Sequence, residues 1–150
     1  MRAKTAVFFE SKVRREAVNE DGMQVKIQEL YCVDAVSFTE CEARVTDYVA
    51  SFTQGEFDVL TETRAAYKEI FFSEDTSDDK FYKVKADFIT IDERTEKQKR
   101  TKYVALVQAA SVDGAKKNFD EAMNSTMVDY NILAISETAI MDVIEYAKKD

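Results

Sequence analysis

At 150 residues the chain is long enough for one ordinary domain, or for two very small ones that lean on each other, and its core needs no metal or disulfide staple. Hydrophobic residues make up 45% and charged residues 33%, a globular rather than disordered balance, and no apolar run approaches the roughly 18 residues of a membrane span. The net charge of −8 argues against a general affinity for nucleic acid, because phosphate binding needs clustered cations.

The first segment, MRAKTAVFFESK, has no long apolar stretch and no small-residue cleavage site. No secretory signal is predicted, and the cytoplasm is the default compartment. Strand signals begin at FFESKVRR (8–15), followed by hairpin chemistry in NEDG (19–22) and a second strand, VKIQELYCVDA (25–35). In that strand Val25, Ile27, Tyr31 and Val33 alternate on one side and Leu30 and Cys32 lie on the other. A strand with one wet face would be polar on that face. Something must therefore cover the second face, either the other half of the chain or another copy, and a homodimer or higher homo-oligomer is expected. Cys32 and Cys41 are read as reduced packing residues.

From Ser37 the apolar residues Phe38, Cys41, Val45, Tyr48 and Val49 mark one face of a helix. Ser37 with Glu40 forms a capping box, and Gly55 is the expected helix stop. A third strand follows at FDVLTET (57–63). The acidic, turn-rich join FFSEDTSDD (71–79) leads to the strand FYKVKADF (81–88), the turn DERTEK (92–97) and the strand TKYVALVQA (101–109), which is again apolar on both faces. Ser111 caps a second helix with Asp113 in its first turn, and YNILAIS (130–136) closes the series.

These segments repeat. Val33, Ala35 and Ser37 fall on Val107, Ala109 and Ser111 at an offset of 74, while Phe8 falls on Phe81, and FDVLTET on YNILAIS, at 73. TETRAAYKEIFF (61–72) and AISETAIMDVIE (134–145) then read as two equivalent last strands. The expected fold is α+β, a tandem duplication of a β-β-α-β unit, with antiparallel sheets and two amphipathic helices packed on them. The expected boundaries are 1–72 for the first repeat, 73–79 for an acidic linker and 80–150 for the second. The halves should be packed as one globular unit, because a chain with no proline and three glycines does not support long floppy linkers.

With no histidine, Ser-His-Asp and Cys-His catalysis is unavailable, and two cysteines cannot complete a zinc set. There is no GxGxxG and no P-loop. Asp75, Ser77 and Asp79 stand at alternate positions as in the opening of a calcium loop, but Lys80 and Ala86 occupy the places of its glycine and closing glutamate. No catalytic residue, cofactor or metal is expected. The remaining candidates are binding residues. Tyr67, Phe71, Phe72, Phe81 and Tyr82 crowd the join between repeats, with Arg64 and Lys68 beside them as anion holders. Lys12 and Lys85 occupy equivalent places on the first strands. The one basic cluster is a hairpin with Arg94, Lys97, Lys99, Arg100 and Lys102, whose only aromatic neighbour is Tyr103, too few for a single-strand binder.

The stretches VDAVSFTECEAR, EIFFSED and SETAIMDVI, in that order, are similar to an uncharacterised family common in genomes of Bacteroidetes bacteria and of their phages. The likeness runs over nearly the whole chain. The family is known only as a domain of unknown function, so it has no site residues to transfer; the resemblance implies an intracellular, bacterial or phage-encoded protein. The function expected is a non-catalytic intracellular binding protein. It would sequester a small nucleotide-like ligand at the repeat seam or an oligomer interface, such as a host signalling molecule if phage-encoded. The alternative is a protein–protein adaptor, inhibitor or assembly component that meets a host protein without a small ligand. Contact with a membrane is not expected.

Overall fold

The computed structural model of the chain describes residues 1–146; the last four positions of the expected second repeat lie outside them. Two compact units are present, and each is built around one helix. The unit of α1 (Phe38–Ala50) comprises Ala6–Ala65 and, of the described residues, 139–146, and the unit of α2 (Val112–Met123) comprises Met1–Thr5 and Ala66–Thr138. The α+β class is as the sequence implies.

In the α1 unit, β2 (Phe8–Val18) and β3 (Gln24–Asp34) form a hairpin closed at Asn19, whose side chain accepts from the backbone N–H groups of Asp21 and Met23. Gly22 supplies the left-handed residue that the turn needs, at φ 79°. α1 (Phe38–Ala50) starts at Ser37, whose hydroxyl accepts from the Glu40 N–H at 3.2 Å; the Glu40 carboxylate turns to Arg44. Gly55 is not the helix stop. α1 ends five residues earlier, where the Ser51 hydroxyl donates to the Tyr48 carbonyl at 2.6 Å and competes for the last turn. Gly55 instead makes room for Glu16, whose Oε2 would lie 2.7 Å from any added Cβ. Cys41, Val45 and Val49 bury against Phe9, Val13, Tyr31, Val33 and Ala35. β4 (Phe57–Arg64) then pairs with the other side of β2.

The α2 unit is put together in the same order: β6 (Lys80–Ile91), β7 (Gln98–Ala109), α2 (Val112–Met123), a short 3₁₀ turn and β8 (Asp129–Glu137). The Ser111 hydroxyl caps α2 by accepting from Gly114 N–H at 3.0 Å. Ala115, Phe119 and Met123 are its buried residues. The sequence of buried and exposed positions along β2 from Phe8 is nearly that along β6 from Phe81. Both strands also carry a register shift at one place, Lys12/Val13 and Lys85/Ala86.

Three further strands lie outside the expected pattern. β1 (Arg2–Thr5) and β5 (Glu69–Phe72) complete a five-stranded sheet ordered β1-β5-β7-β6-β8, and β9 (Ile140–Ile144) completes a four-stranded sheet ordered β4-β2-β3-β9. The sheets are mixed rather than wholly antiparallel, because β5 runs parallel to β7 and β9 parallel to β3. TETRAAYKEIFF and AISETAIMDVIE are thus each the end of one strand plus a second strand. In each case the chain steps at Ala65/Ala66 or Thr138/Ala139 out of the unit it has just built, so β5 belongs to the α2 unit and β9 to the α1 unit.

The chain leaving each of these parallel strands is held the same way. Ser73 N–H donates to Gln108 Oε1 at 3.0 Å while Asn118 bonds the Gln108 carbonyl; Tyr146 N–H donates to Asp34 Oδ2 at 3.4 Å while Arg44 bonds the Asp34 carbonyl. Phe8 and Cys32, which alternate with the helix-facing residues, are also buried, as are Phe81 and Leu106. No described helix is long and apolar enough to cross a membrane.

Candidate functional site

Two adjoining cavities in the α2 unit hold the richest chemistry among the described residues. The first, a slot of about 270 Å³, lies between the C-terminal end of α2 and the β1–β5 edge of the sheet; Phe71, Phe88, Tyr103, Ala122 and Met123 are among its walls. The second, a cleft of about 400 Å³, is lined by Thr5, Ala66, Lys68, Glu69, Lys102, Tyr103 and Val104. Glu69 and Tyr103 border both.

Strand register sets this arrangement. Thr5 of β1 sits opposite Glu69 of β5, and its hydroxyl donates to Glu69 Oε2 at 3.1 Å. The Tyr103 hydroxyl of β7 donates to the other carboxylate oxygen, Oε1. Burial and then the Glu69 hydrogen bond push the Tyr103 phenol well above its ordinary range, so it is a neutral donor at any physiological pH. Phe88, two residues along β6 from the Ala86 that faces Tyr103, stacks on the Tyr103 ring with centroids 4.4 Å apart and planes 24° from parallel. Phe119, fully buried behind these rings, lies 6.4 Å from Tyr103 and 6.2 Å from Phe71 and backs the wall without reaching the slot. The apolar slot can therefore take a flat ring, and a volume of roughly 150 Å³ is enough for benzene. Lys68 and Lys102 are exposed and have no ion-pair partner among the described residues, so with Glu69 the cleft carries a local excess of one positive charge.

The candidates from the sequence fall in several places. Lys68 and Lys102 come together in the cleft. Tyr67 is fully buried with the Lys83 ammonium 5.9 Å from its ring, and Tyr82 is buried against Ala109 and Ala115. Phe72 is half-buried under the Arg2 guanidinium at 4.2 Å. Lys85 is exposed on β6, opposite Val104 and Ala134. Arg94 and Lys97 lie in the exposed β6–β7 turn, Lys99 and Arg100 continue on β7, and Arg100 reaches Asp87 at 3.7 Å. Lys12 and Arg64 belong to the α1 unit; Arg64 covers the Phe9 ring at 5.7 Å and the Phe38 ring at 5.9 Å.

Thr5, Glu69 and Phe88 were not singled out by the sequence; Phe71 was, among the aromatics of the join. Glu69 and Phe71 sit inside YKEIFF and Phe88 ends FYKVKADF, yet only the pairing of β5 with β1 and β7, and of β6 with β7, brings them to one cavity. The acidic loop is internally satisfied: Asp75 accepts from both the backbone N–H and the hydroxyl of Ser77, which holds its carboxyl below the usual range. No group of three or more Asp, Glu, Cys or His side chains that could hold a metal occurs among the described residues.

One family, described as a domain of unknown function (DUF4494), matches residues 7–146, and the chain belongs to it. No curated protein and no solved structure matches the chain.

Proposed function

We propose that this chain, as a member of the DUF4494 family, is a non-catalytic binding protein for a small anionic ligand that carries a flat ring, of the nucleotide kind. The observation that carries the reading is the junction at Glu69 and Tyr103, where an aromatic slot meets a cleft bearing Lys68 and Lys102. An anion entering this cleft escapes the repulsion expected from a chain of net charge −8, because both nearby lysines lack ion-pair partners among the described residues. The ring would lie against Phe88 and Tyr103, and the phosphate would face the two ammonium groups. Sequestration rather than turnover suits a chain without histidine. If the gene is phage-borne, a host signalling nucleotide is the natural cargo.

Calorimetric titration against a panel of linear and cyclic nucleotides tests this. A binder should appear, and the double substitution Lys68→Glu, Lys102→Glu should weaken it at least about tenfold, roughly 1.4 kcal/mol. Binding should also weaken as salt rises. A panel without a binder, or a double variant that binds as well as the parent, would sink the proposal.

A second reading, an adaptor or assembly component without a small ligand, draws on Leu60 and Leu133. These two leucines are exposed on β4 and β8, each an edge strand of its sheet. A co-purifying partner lost on Leu60→Lys with Leu133→Lys, and kept in the lysine double variant, would favour it.

A further inference from the structure

Register gives each position of the slot a counterpart in the α1 unit. Cys32 pairs with Val143 as Leu106 pairs with Ile70, which sets Asp142 opposite Glu69 in the comparison. Val13 pairs with Glu29 as Ala86 pairs with Tyr103, so Glu29 answers Tyr103, and two residues along the neighbouring strand Arg15 answers Phe88. The buried triplets Cys41, Val45, Val49 and Ala115, Phe119, Met123 align the helices, so Tyr48 answers Ala122, and one turn further on Phe52 answers Thr126.

The contents of the two places differ. In the α1 unit the Tyr48 ring packs edge-on to Tyr31 at 5.4 Å and to Phe52 at 5.5 Å, and its hydroxyl donates to Asp142 Oδ2 at 2.7 Å. Arg15 ion-pairs with Glu29 and lies over Phe52 at 5.3 Å. The nearest cleft there is lined by Arg15, Phe52 and the loop Thr53, Gln54 and Gly55, and Asp142 is not among its walls. In the α2 unit, alanine and threonine replace Tyr48 and Phe52, an aromatic stack replaces the ion pair, and the space stays open as the 270 Å³ slot.

We infer that the slot under the C-terminal end of α2 is a subsite for a flat aromatic ring bearing an O–H or N–H donor directed at Glu69, with Tyr48 on Asp142 marking how such a ring lies. The inference deepens the proposed function, whose cleft it adjoins, and names the ring half of the ligand. Glu69 has capacity for this contact, because each carboxylate oxygen accepts one hydrogen bond in the structure and has a second lone pair. Ring recognition here needs no charge on the ligand.

The test uses the full chain and uncharged probes, phenol and adenosine, followed through the Met123 methyl signal and the ring signals of Phe88 and Tyr103. All three should shift in the parent at millimolar probe. The substitution Ala122→Tyr should abolish the shifts, because it supplies the counterpart side chain, and Thr126→Phe, at an exposed position on the rim of the slot, should weaken them. Thermal unfolding of both variants confirms the fold. Absent shifts in the parent, or shifts unchanged in both variants, would overturn the inference. The two proposals fail separately. If adenosine binds and its phosphate adds nothing, the anion reading falls and the slot stands. If a nucleotide binds while adenosine does not, and Ala122→Tyr leaves it bound, the slot falls and the anion reading stands.

Discussion

Ser11 shows how one atom can set the behaviour of a core. It is fully buried on β2 between Phe9 and Val13, and its hydroxyl has no hydrogen-bond partner among the described residues. The position that matches it on β6 is Val84, also fully buried. A buried hydroxyl without a partner costs roughly 1–3 kcal/mol in desolvation. Ser11→Ala should therefore raise stability by about 1 kcal/mol, seen as a higher urea midpoint with an unchanged slope; a lower midpoint would mean that the hydroxyl is satisfied. Glu96 is a second local compromise. It takes a left-handed φ of 56° in the β6–β7 turn, where the β2–β3 turn places Gly22. Sequence alone made both turns look alike, because DERTEK and NEDG share turn formers; only the backbone angles separate them.

At the scale of elements, the helices were legible because the buried faces of α1 and α2 repeat every 3.6 residues, and the long hairpin strands because their β-branched and aromatic runs are bounded by the turn formers NEDG and DERTEK. β1, β5 and β9 were not, because segments of four or five residues are too short for a period to rise above composition. β1 reads Arg-Ala-Lys-Thr and is nearly all exposed, so no apolar alternation announces it. Its role comes from pairing alone: Arg2, Ala3, Lys4 and Thr5 face Phe72, Phe71, Ile70 and Glu69. Removing residues 1–5 should leave the outer edge of β5 bare. Hydrogen exchange should then quicken at residues 69–72 while β6 and the β6-facing side of β7 keep their protection. A uniform change across the unit, or none, would contradict this account. The same truncation removes Ala3 and Thr5 from the walls of the two cavities, so ring and anion binding should both weaken.

Over the whole molecule, phenols bonded to carboxylates recur in both units. Tyr48 on Asp142 and Tyr130 on Asp120 are each held up to about 12, burial being the larger cause and the carboxylate the second. Tyr31 and Tyr103 are pushed up further by burial and by Glu29 and Glu69. A tyrosine of the unfolded chain ionises near 10. The folded state therefore keeps protons that the unfolded state has lost, and stability present below about pH 10 falls as pH rises toward and through the folded values. Denaturation midpoints measured from pH 9 to 12 should drop steeply above 10, while absorbance at 295 nm shows these four phenols ionising only with unfolding. Early ionisation without loss of structure would show that burial and the carboxylate bonds do not hold these phenols neutral.

The sequence by itself determined the class of fold, the positions of both helices, their serine caps and the apolar character of both sheet faces, because these follow from local periods and caps that operate within a dozen residues. It also placed Lys68 and Lys102 among the candidate cations. Tertiary structure alone decided that β5 and β9 each join the unit their neighbours in the chain did not build, and that Thr5, Glu69, Phe88 and Tyr103 meet. Those residues stand up to 98 positions apart, from Thr5 to Tyr103, and what unites them is strand register, a property of pairing that no single segment encodes.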